Sequence, residues 1–210
     1  MHRSAVIPRL HIVTNDVILA RPDFLPIAEE LLVVLQRRIA LHVRGHDTPA
    51  RAIFDIVDAL SAKAGLVGAL LLANDRVDIA LAAGAGGVQL GVRSLPVAEV
   101  RRIAPALRIG YSAHSATEAA AAEQAGANFV IAGSIYRTQS HAGGTPGGLE
   151  LLDACVEACA IPVIAIGGIT PERTTEIDRT GAYGVAVIGA VWDAPDPVHA
   201  AEEFVKMLEA

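Results

Sequence analysis

The stretch Ile161-Pro-Val-Ile-Ala-Ile-Gly-Gly-Ile-Thr-Pro-Glu172 decides the fold. A short unbroken run of β-branched and aliphatic residues reads as a strand buried on both faces, the kind a parallel sheet makes. Gly167 and Gly168 end the run. Thr170-Pro171-Glu172 then carries a helix start: a capping oxygen, a proline at the first helical position and an acid in the first turn. Strand, glycine turn and helix in that order form the βα unit of a parallel α/β fold. Two glycines at the strand's end also let the backbone approach a phosphate closely and offer it free amides, although glycines serving only a tight turn would look the same.

Working outward, the unit recurs. Apolar runs at 10–14, 39–44, 69–73, 87–90, 108–112, 129–133, 162–166 and 184–188 are eight strand candidates. Segments of helical period lie between them at 22–38, 48–64, 76–83, 96–106, 116–125, 149–160, 171–180 and 197–208. Thr48-Pro49, Ser94-Leu95-Pro96, Ser115 with Glu118, and Thr170 offer caps to the helices that follow, and Gly65 and Gly181 offer stops. The pattern predicts one α/β domain over residues 1–210, a single (β/α)8 TIM barrel, with an open doubly wound sheet as the alternative. Such barrels typically take ~250 residues, so this one must be trimmed.

Hydrophobic residues make up 52% of the chain and aromatics 4%, so the core must be built from Ala, Val, Ile and Leu. A net charge of −6 with scattered arginines excludes a nucleic-acid surface, which needs clustered positive charge. The longest apolar runs, such as 66–73, are too short to span a membrane, and residues 1–9 lack the apolar core of a signal peptide, so the expectation is a cytoplasmic protein. Cys155 and Cys159 read as reduced thiols sharing a helix face.

The candidate chemistry sits at strand ends. Gly189 repeats the glycine turn after the eighth strand, and barrels often bind phosphate on the loops after strands seven and eight. His42 and Arg44, two apart on the second strand, point to one side, and Arg44 has the bidentate fork that suits an anion. Asn74 or Asp75 can cap the helix after the third strand, while Asp75 can also ligate a hard cation. Ser112 and His114 share one side of the fifth strand's end. Ser134, Arg137, Thr138, Ser140 and His141 give the loop after the sixth strand donors for an anion or a polar ring.

The segments Leu10-His-Ile-Val-Thr-Asn-Asp, His42-Val-Arg, Asn74-Asp-Arg-Val-Asp-Ile-Ala-Leu, Gly110-Tyr-Ser-Ala-His-Ser, Gly133-Ser-Ile-Tyr-Arg-Thr and Ala165-Ile-Gly-Gly-Ile-Thr-Pro together resemble the thiamine phosphate synthase and TenI family over nearly the whole chain. The resemblance implies a small-molecule thiazole phosphate as ligand, with its phosphate on Gly167, Gly168 and Gly189. It also places Arg44, Asn74, Ser112, Thr138 and Ser140 on substrate-binding positions. In the synthase branch a pyrimidine pyrophosphate is joined to the thiazole phosphate, with Mg2+ neutralising the leaving pyrophosphate. Here Ser94 stands where that branch has a second metal-binding aspartate, leaving Asp75 alone, and Thr138-Gln-Ser140-His141 lacks its lysine.

Those departures, with the His42-Val-Arg-Gly-His46 run, make a TenI-like thiazole tautomerase the leading expectation. It requires proton transfer and no cofactor, and its catalytic candidates are His42, His141 and Ser134. Ser134 occupies the position of that branch's own histidine, so another base, His42, His114 or His141, must act. The alternatives are the Mg2+-dependent synthase and a non-catalytic binder or regulator of a phosphate ligand. Neither nucleic acid nor membrane is an expected partner, and a homodimer is left open.

Overall fold

The computed structural model describes residues 7–138 and 145–209. The eight apolar runs all form strands: β1 (Leu10–Val13), β2 (Ile39–Val43), β3 (Leu70–Asn74), β4 (Gly87–Leu90), β5 (Arg108–Ala113), β6 (Phe129–Gly133), β7 (Val163–Ile166) and β8 (Gly184–Val187). All pair in parallel with their sequence neighbours, and β8 returns to β1 through Leu10↔Val185 and Ile12↔Val187, so the sheet is a closed barrel. The open-sheet alternative is excluded. Around it lie α1 (Asp16–Leu19), α2 (Phe24–Leu35), α3 (Ala50–Val67), α4 (Val77–Ala82), α5 (Val97–Ile103), α6 (Ala116–Gln124), α7 (Gly148–Ala158), α8 (Thr174–Asp178), α9 (Gly189–Trp192) and α10 (Pro197–Glu209). No described helix is long and apolar enough to cross a membrane.

The period of two along each strand divides the core in two. Leu10, Ile12, Leu41, Val43, Leu71, Val88, Ile109, Val130, Val163 and Val185 point outward and pack under the helices. Val13, Ala40, Leu72, Phe129, Ile131, Ile164 and Ala186 point inward and fill the barrel. The interior is narrow, and glycine makes room where a larger side chain intrudes. A Cβ on Gly110 would lie 2.1 Å from Gln89 Oε1 and 2.3 Å from the Phe129 ring.

Helix ends differ from the sequence reading where a nearby side chain outcompetes the expected cap. Ser115 does cap α6, accepting from the Glu118 amide at 3.2 Å. Thr48 and Ser94 instead bond to Asp16 and Asp75, leaving Pro49 and Pro96 at the cap positions of α3 and α5, and neither Asn74 nor Asp75 caps α4. Gly65 lies inside α3, which runs on to Val67 and stops at Gly68, where φ is +75°. Cys155 is buried in α7, Cys159 follows it, and both are free thiols.

Replacing Gly110 by Ala forces Phe129 or Gln89 to move in a filled interior, a loss of ~1–3 kcal/mol. A denaturation midpoint clearly lower than that of the parent is the expected result, and an unchanged midpoint would contradict the interior packing.

Candidate active site

In a parallel barrel the loops that follow the strands gather at one end. Arg44, Asn74, Asp75, Ser94, Ser112, Ser134, Thr138, Gly167, Gly168 and Gly189 all lie on or just after the C-terminal ends of β2 to β8, so the fold brings them to one mouth. β3 and β7 are four places apart in a ring of eight, which sets their loops on opposite sides of that mouth.

On the β7 side, Gly167 has φ +106° and Gly168 φ +63°, and neither has space for a Cβ. One on Gly167 would lie 2.1 Å from Ser134 Oγ and one on Gly168 2.6 Å from the Arg137 carbonyl. The Gly167 carbonyl accepts from the Tyr136 amide at 3.0 Å, and the Gly168 carbonyl accepts from Arg173 Nη1. Because a trans peptide points its N–H opposite to its C=O, the amides of Gly168 and Ile169 face away from those partners. The turn is braced from outside: the Arg173 guanidinium lies 4.2 Å over the Tyr136 ring, and the Tyr136 hydroxyl donates to Glu176. Partial burial, and then that bond to a carboxylate, push the Tyr136 phenol up to about 12. Gly189 opens the short helix α9 beside this turn.

On the β2–β3 side, Arg44 is clamped by its backbone. Its amide donates to Thr14 Oγ1 at 2.8 Å, the Thr14 hydroxyl donates to its carbonyl at 3.0 Å, and its guanidinium meets His46. Asp16 shapes the next turn, accepting from the amides of His46, Asp47 and Thr48 at 3.0, 2.9 and 2.8 Å and from the Thr48 hydroxyl at 2.6 Å. Those bonds, the hydroxyl's first, hold its carboxyl well below the usual range. Asp75 has φ +63°, its amide donates to the Gln89 carbonyl at 2.8 Å, and its carboxylate accepts from Ser94 Oγ. Asp75, Asp16 and Arg93 all act electrostatically on Arg44.

Among the described residues no group of three or more His, Cys, Asp or Glu is placed to hold a metal ion. Mg2+ commonly uses one or two carboxylates plus substrate phosphates and water. A lone Asp75 bonded to Ser94 therefore fits an ion arriving on a polyphosphate and does not fit one caged by the protein alone.

The histidines fall differently from expectation. His42 is fully buried below the mouth, its Nε2 2.8 Å from His11 Nδ1, and burial lowers it to about 3. It is a weak base without access to solvent, so the proton-shuttling role expected of it has no support in this geometry. The Ser134 hydroxyl donates to the Tyr136 carbonyl at 2.9 Å and packs under Gly167, which makes it part of the loop's frame. His114 Nδ1 lies 2.5 Å from the Gly133 carbonyl, so it donates there and leaves Nε2 as the acceptor on an exposed ring. Ser112 accepts from Gln89 Nε2 at 2.9 Å, and Thr138 is half-buried after β6. Ser140 and His141 lie outside the described residues. Sequence reasoning missed His11, Thr14 and Asp16, which touch the site only through other residues. Their legible traces are the family-like segment Leu10-His-Ile-Val-Thr-Asn-Asp and the polar residues His11, Thr14, Asn15 and Asp16 that it sets in and after an apolar strand.

Left-handed glycines after β7, set across the mouth from an arginine and a carboxylate after β2 and β3, are what this TIM barrel presents at the C-terminal end of its strands. Residues 10–191 match the thiamine monophosphate synthase family, and the chain belongs to it. It is 41% identical over 170 residues to a thiamine-phosphate synthase of Pyrococcus furiosus, covering 81% of this chain and 82% of that protein. A thiamine-phosphate synthase of Salinispora arenicola is 37% identical over 205 residues, 95% of this chain and 97% of its own. The solved thiamine phosphate pyrophosphorylase of Pyrococcus furiosus superimposes with a TM-score of 0.82 at 37% identity, covering 96% of this chain and 95% of that one. These relatives carry synthase names, so the comparison favours the synthase alternative over the tautomerase that the sequence put first.

Gly168→Ala tests the cradle. A left-handed L-residue costs ~1–2 kcal/mol, and the clash with the Arg137 carbonyl adds to it, so phosphate-ester affinity should fall about tenfold or more with circular dichroism unchanged. Unaltered affinity, measured calorimetrically, would place the phosphate elsewhere.

Proposed function

We propose that this chain is a thiamine-phosphate synthase, joining a pyrimidine pyrophosphate to a thiazole phosphate. The observation that supports the reading is that two sets of groups suited to anions lie on opposite sides of one mouth, left-handed glycines after β7 and Arg44 with Asp75 after β2 and β3. A tautomerase acting on a thiazole phosphate carboxylate holds a phosphate and a carboxylate, whereas a coupling enzyme must hold a phosphate and a metal-bearing pyrophosphate, and a carboxylate such as Asp75 beside Arg44 suits the second better than the first. The Gly167–Gly168 turn and Gly189 suit the compact phosphate of the thiazole, because close-packed backbone amides fit three oxygens of one group. Arg44 and Asp75 suit the pyrophosphate, Arg44 by charge and fork and Asp75 as the protein's single contribution to a metal shared with the substrate.

In the coupling, a bond forms to the carbon that carried pyrophosphate, and the C–O bond breaks with its electron pair leaving on oxygen. The residues serve by position and charge. The mouth holds the two reactants with their reacting ends inward, which replaces a bimolecular encounter by an internal one. Arg44, held by Thr14, stabilises negative charge as it develops on the departing group. Asp75 would hold Mg2+, whose chemistry there is to neutralise the leaving pyrophosphate. Ser112, Thr138 and Ser140 are the further substrate-binding positions that the family resemblance supports.

Incubation of the protein with both substrates and Mg2+ should yield thiamine phosphate and pyrophosphate. Tight binding of thiazole phosphate without coupling would support the non-catalytic reading, and isomerisation of its carboxylate the tautomerase. Ser94→Asp restores a second carboxylate beside Asp75, and we expect it to lower the Mg2+ concentration for half-maximal rate several-fold. An unchanged Mg2+ requirement would contradict the assignment of the metal to this corner.

A further inference from the structure

Below the mouth runs a chain of buried side chains whose hydrogen-bond direction is set by one backbone carbonyl. His11 Nε2 lies 3.0 Å from the Pro8 carbonyl, His11 Nδ1 lies 2.8 Å from His42 Nε2, and both rings are fully buried. A carbonyl only accepts, so His11 carries its proton on Nε2, and in a neutral ring Nδ1 is then a lone pair. His42 must therefore donate from Nε2, which makes its own Nδ1 a lone pair as well. Burial and the facing ring hold His11 well below the usual imidazole range, and burial holds His42 at about 3, so neither ring carries a second proton at neutral pH.

The next polar side chain is Asn74, on the neighbouring strand β3 two residues beyond the Leu72 that pairs with His42 and so pointing into the same interior. His42 Nδ1 and Asn74 Oδ1 are both buried and both without a hydrogen-bond partner among the described residues. Two buried acceptors left without donors cost ~1–3 kcal/mol each. Reversing the chain only moves the conflict to His11 and Pro8, or else requires a buried imidazolium, which costs more. Turning the Asn74 amide over satisfies His42 at no steric cost, because its oxygen and nitrogen are nearly the same size.

We infer that the Pro8 carbonyl, acting through His11 and His42 as positioning residues, fixes Asn74 with its amide nitrogen down on His42 and its oxygen toward the mouth. Asn74 therefore meets a ligand as an acceptor. It selects a group that donates N–H or O–H and disfavours a bare phosphate oxygen, leaving anions to Arg44 and the glycine turns.

The first test needs no turnover: long-range proton–nitrogen correlation on the ligand-free protein with labelled histidines. Both His11 and His42 should be neutral and protonated on Nε2. A His42 protonated on Nδ1, or cationic, overturns the inference whether or not the protein proves to be a synthase. The second arm rests on the synthase reading for its choice of substrate. His11→Phe removes the anchor and should raise KM for the pyrimidine pyrophosphate about tenfold with kcat little changed. His11→Gln, which can donate to Pro8 and accept from His42, should restore most of it. Unchanged His42 tautomer and unchanged KM in His11→Phe would overturn the positioning role.

Discussion

Eight parallel strands closing on themselves leave an interior in which side chains from alternate strands compete for little space. In this chain that competition is resolved by Phe129, which occupies the interior where Gly110 has no side chain. The same ring sits 5.0 Å from the ring of His11, and His11 in turn holds His42. Packing deep in the barrel thus passes by direct contact to the polar floor of the mouth. A larger residue at Gly110 would disturb the floor as well as the fold, and at the far end of the barrel a Cβ at Gly87 or Gly184 would lie 2.5 or 2.0 Å from the carbonyl of Arg108 or Arg9.

Above that floor the charges are divided by position. The β7 side offers backbone amides set by two left-handed glycines and braced by Arg173 on Tyr136. The β2–β3 side offers one firmly seated arginine and one carboxylate. On the synthase reading proposed above, Ser94 in place of a second carboxylate would leave a metal at Asp75 dependent on the substrate for most of its ligands. Such a site should load its metal with the pyrophosphate rather than before it, because Asp75 alone gives Mg2+ little reason to leave water.

The barrel was legible because its signal is periodic. Short apolar runs alternating with helical segments specify βα units, and only the ends moved, as at Gly68, where an αL cap beyond Gly65 stops α3. The Gly167–Gly168 turn was legible because left-handed backbone selects glycine. The roles of the histidines were not. His42 and Arg44 share one side of β2, as their spacing requires, but two residues' rise along a strand decides between a sealed floor and an open mouth. Nor could spacing show that His11 lies against His42, since that contact exists only once β1 and β2 are in register, with Val13 paired to His42. The departures at Ser94 and in Thr138-Gln-Ser140-His141 pointed toward a tautomerase because they were weighed as losses of pyrophosphate handling, while Ser134 lacked the histidine of the tautomerase branch itself. The structure gives Ser134 a framing role under Gly167, and the relatives' names outweigh the missing carboxylate.

The central claim is that two anionic substrates occupy opposite corners of one mouth. A crystal structure with thiazole phosphate and the pyrimidine pyrophosphate bound together, the latter in an unreactive form, tests it most directly. The account predicts the thiazole's phosphate on the amides of Gly168 and Ile169, and the pyrophosphate between Arg44 and Asp75. Both anions on the same side of the barrel, or a pyrophosphate seated on the Gly167–Gly168 turn, would contradict it.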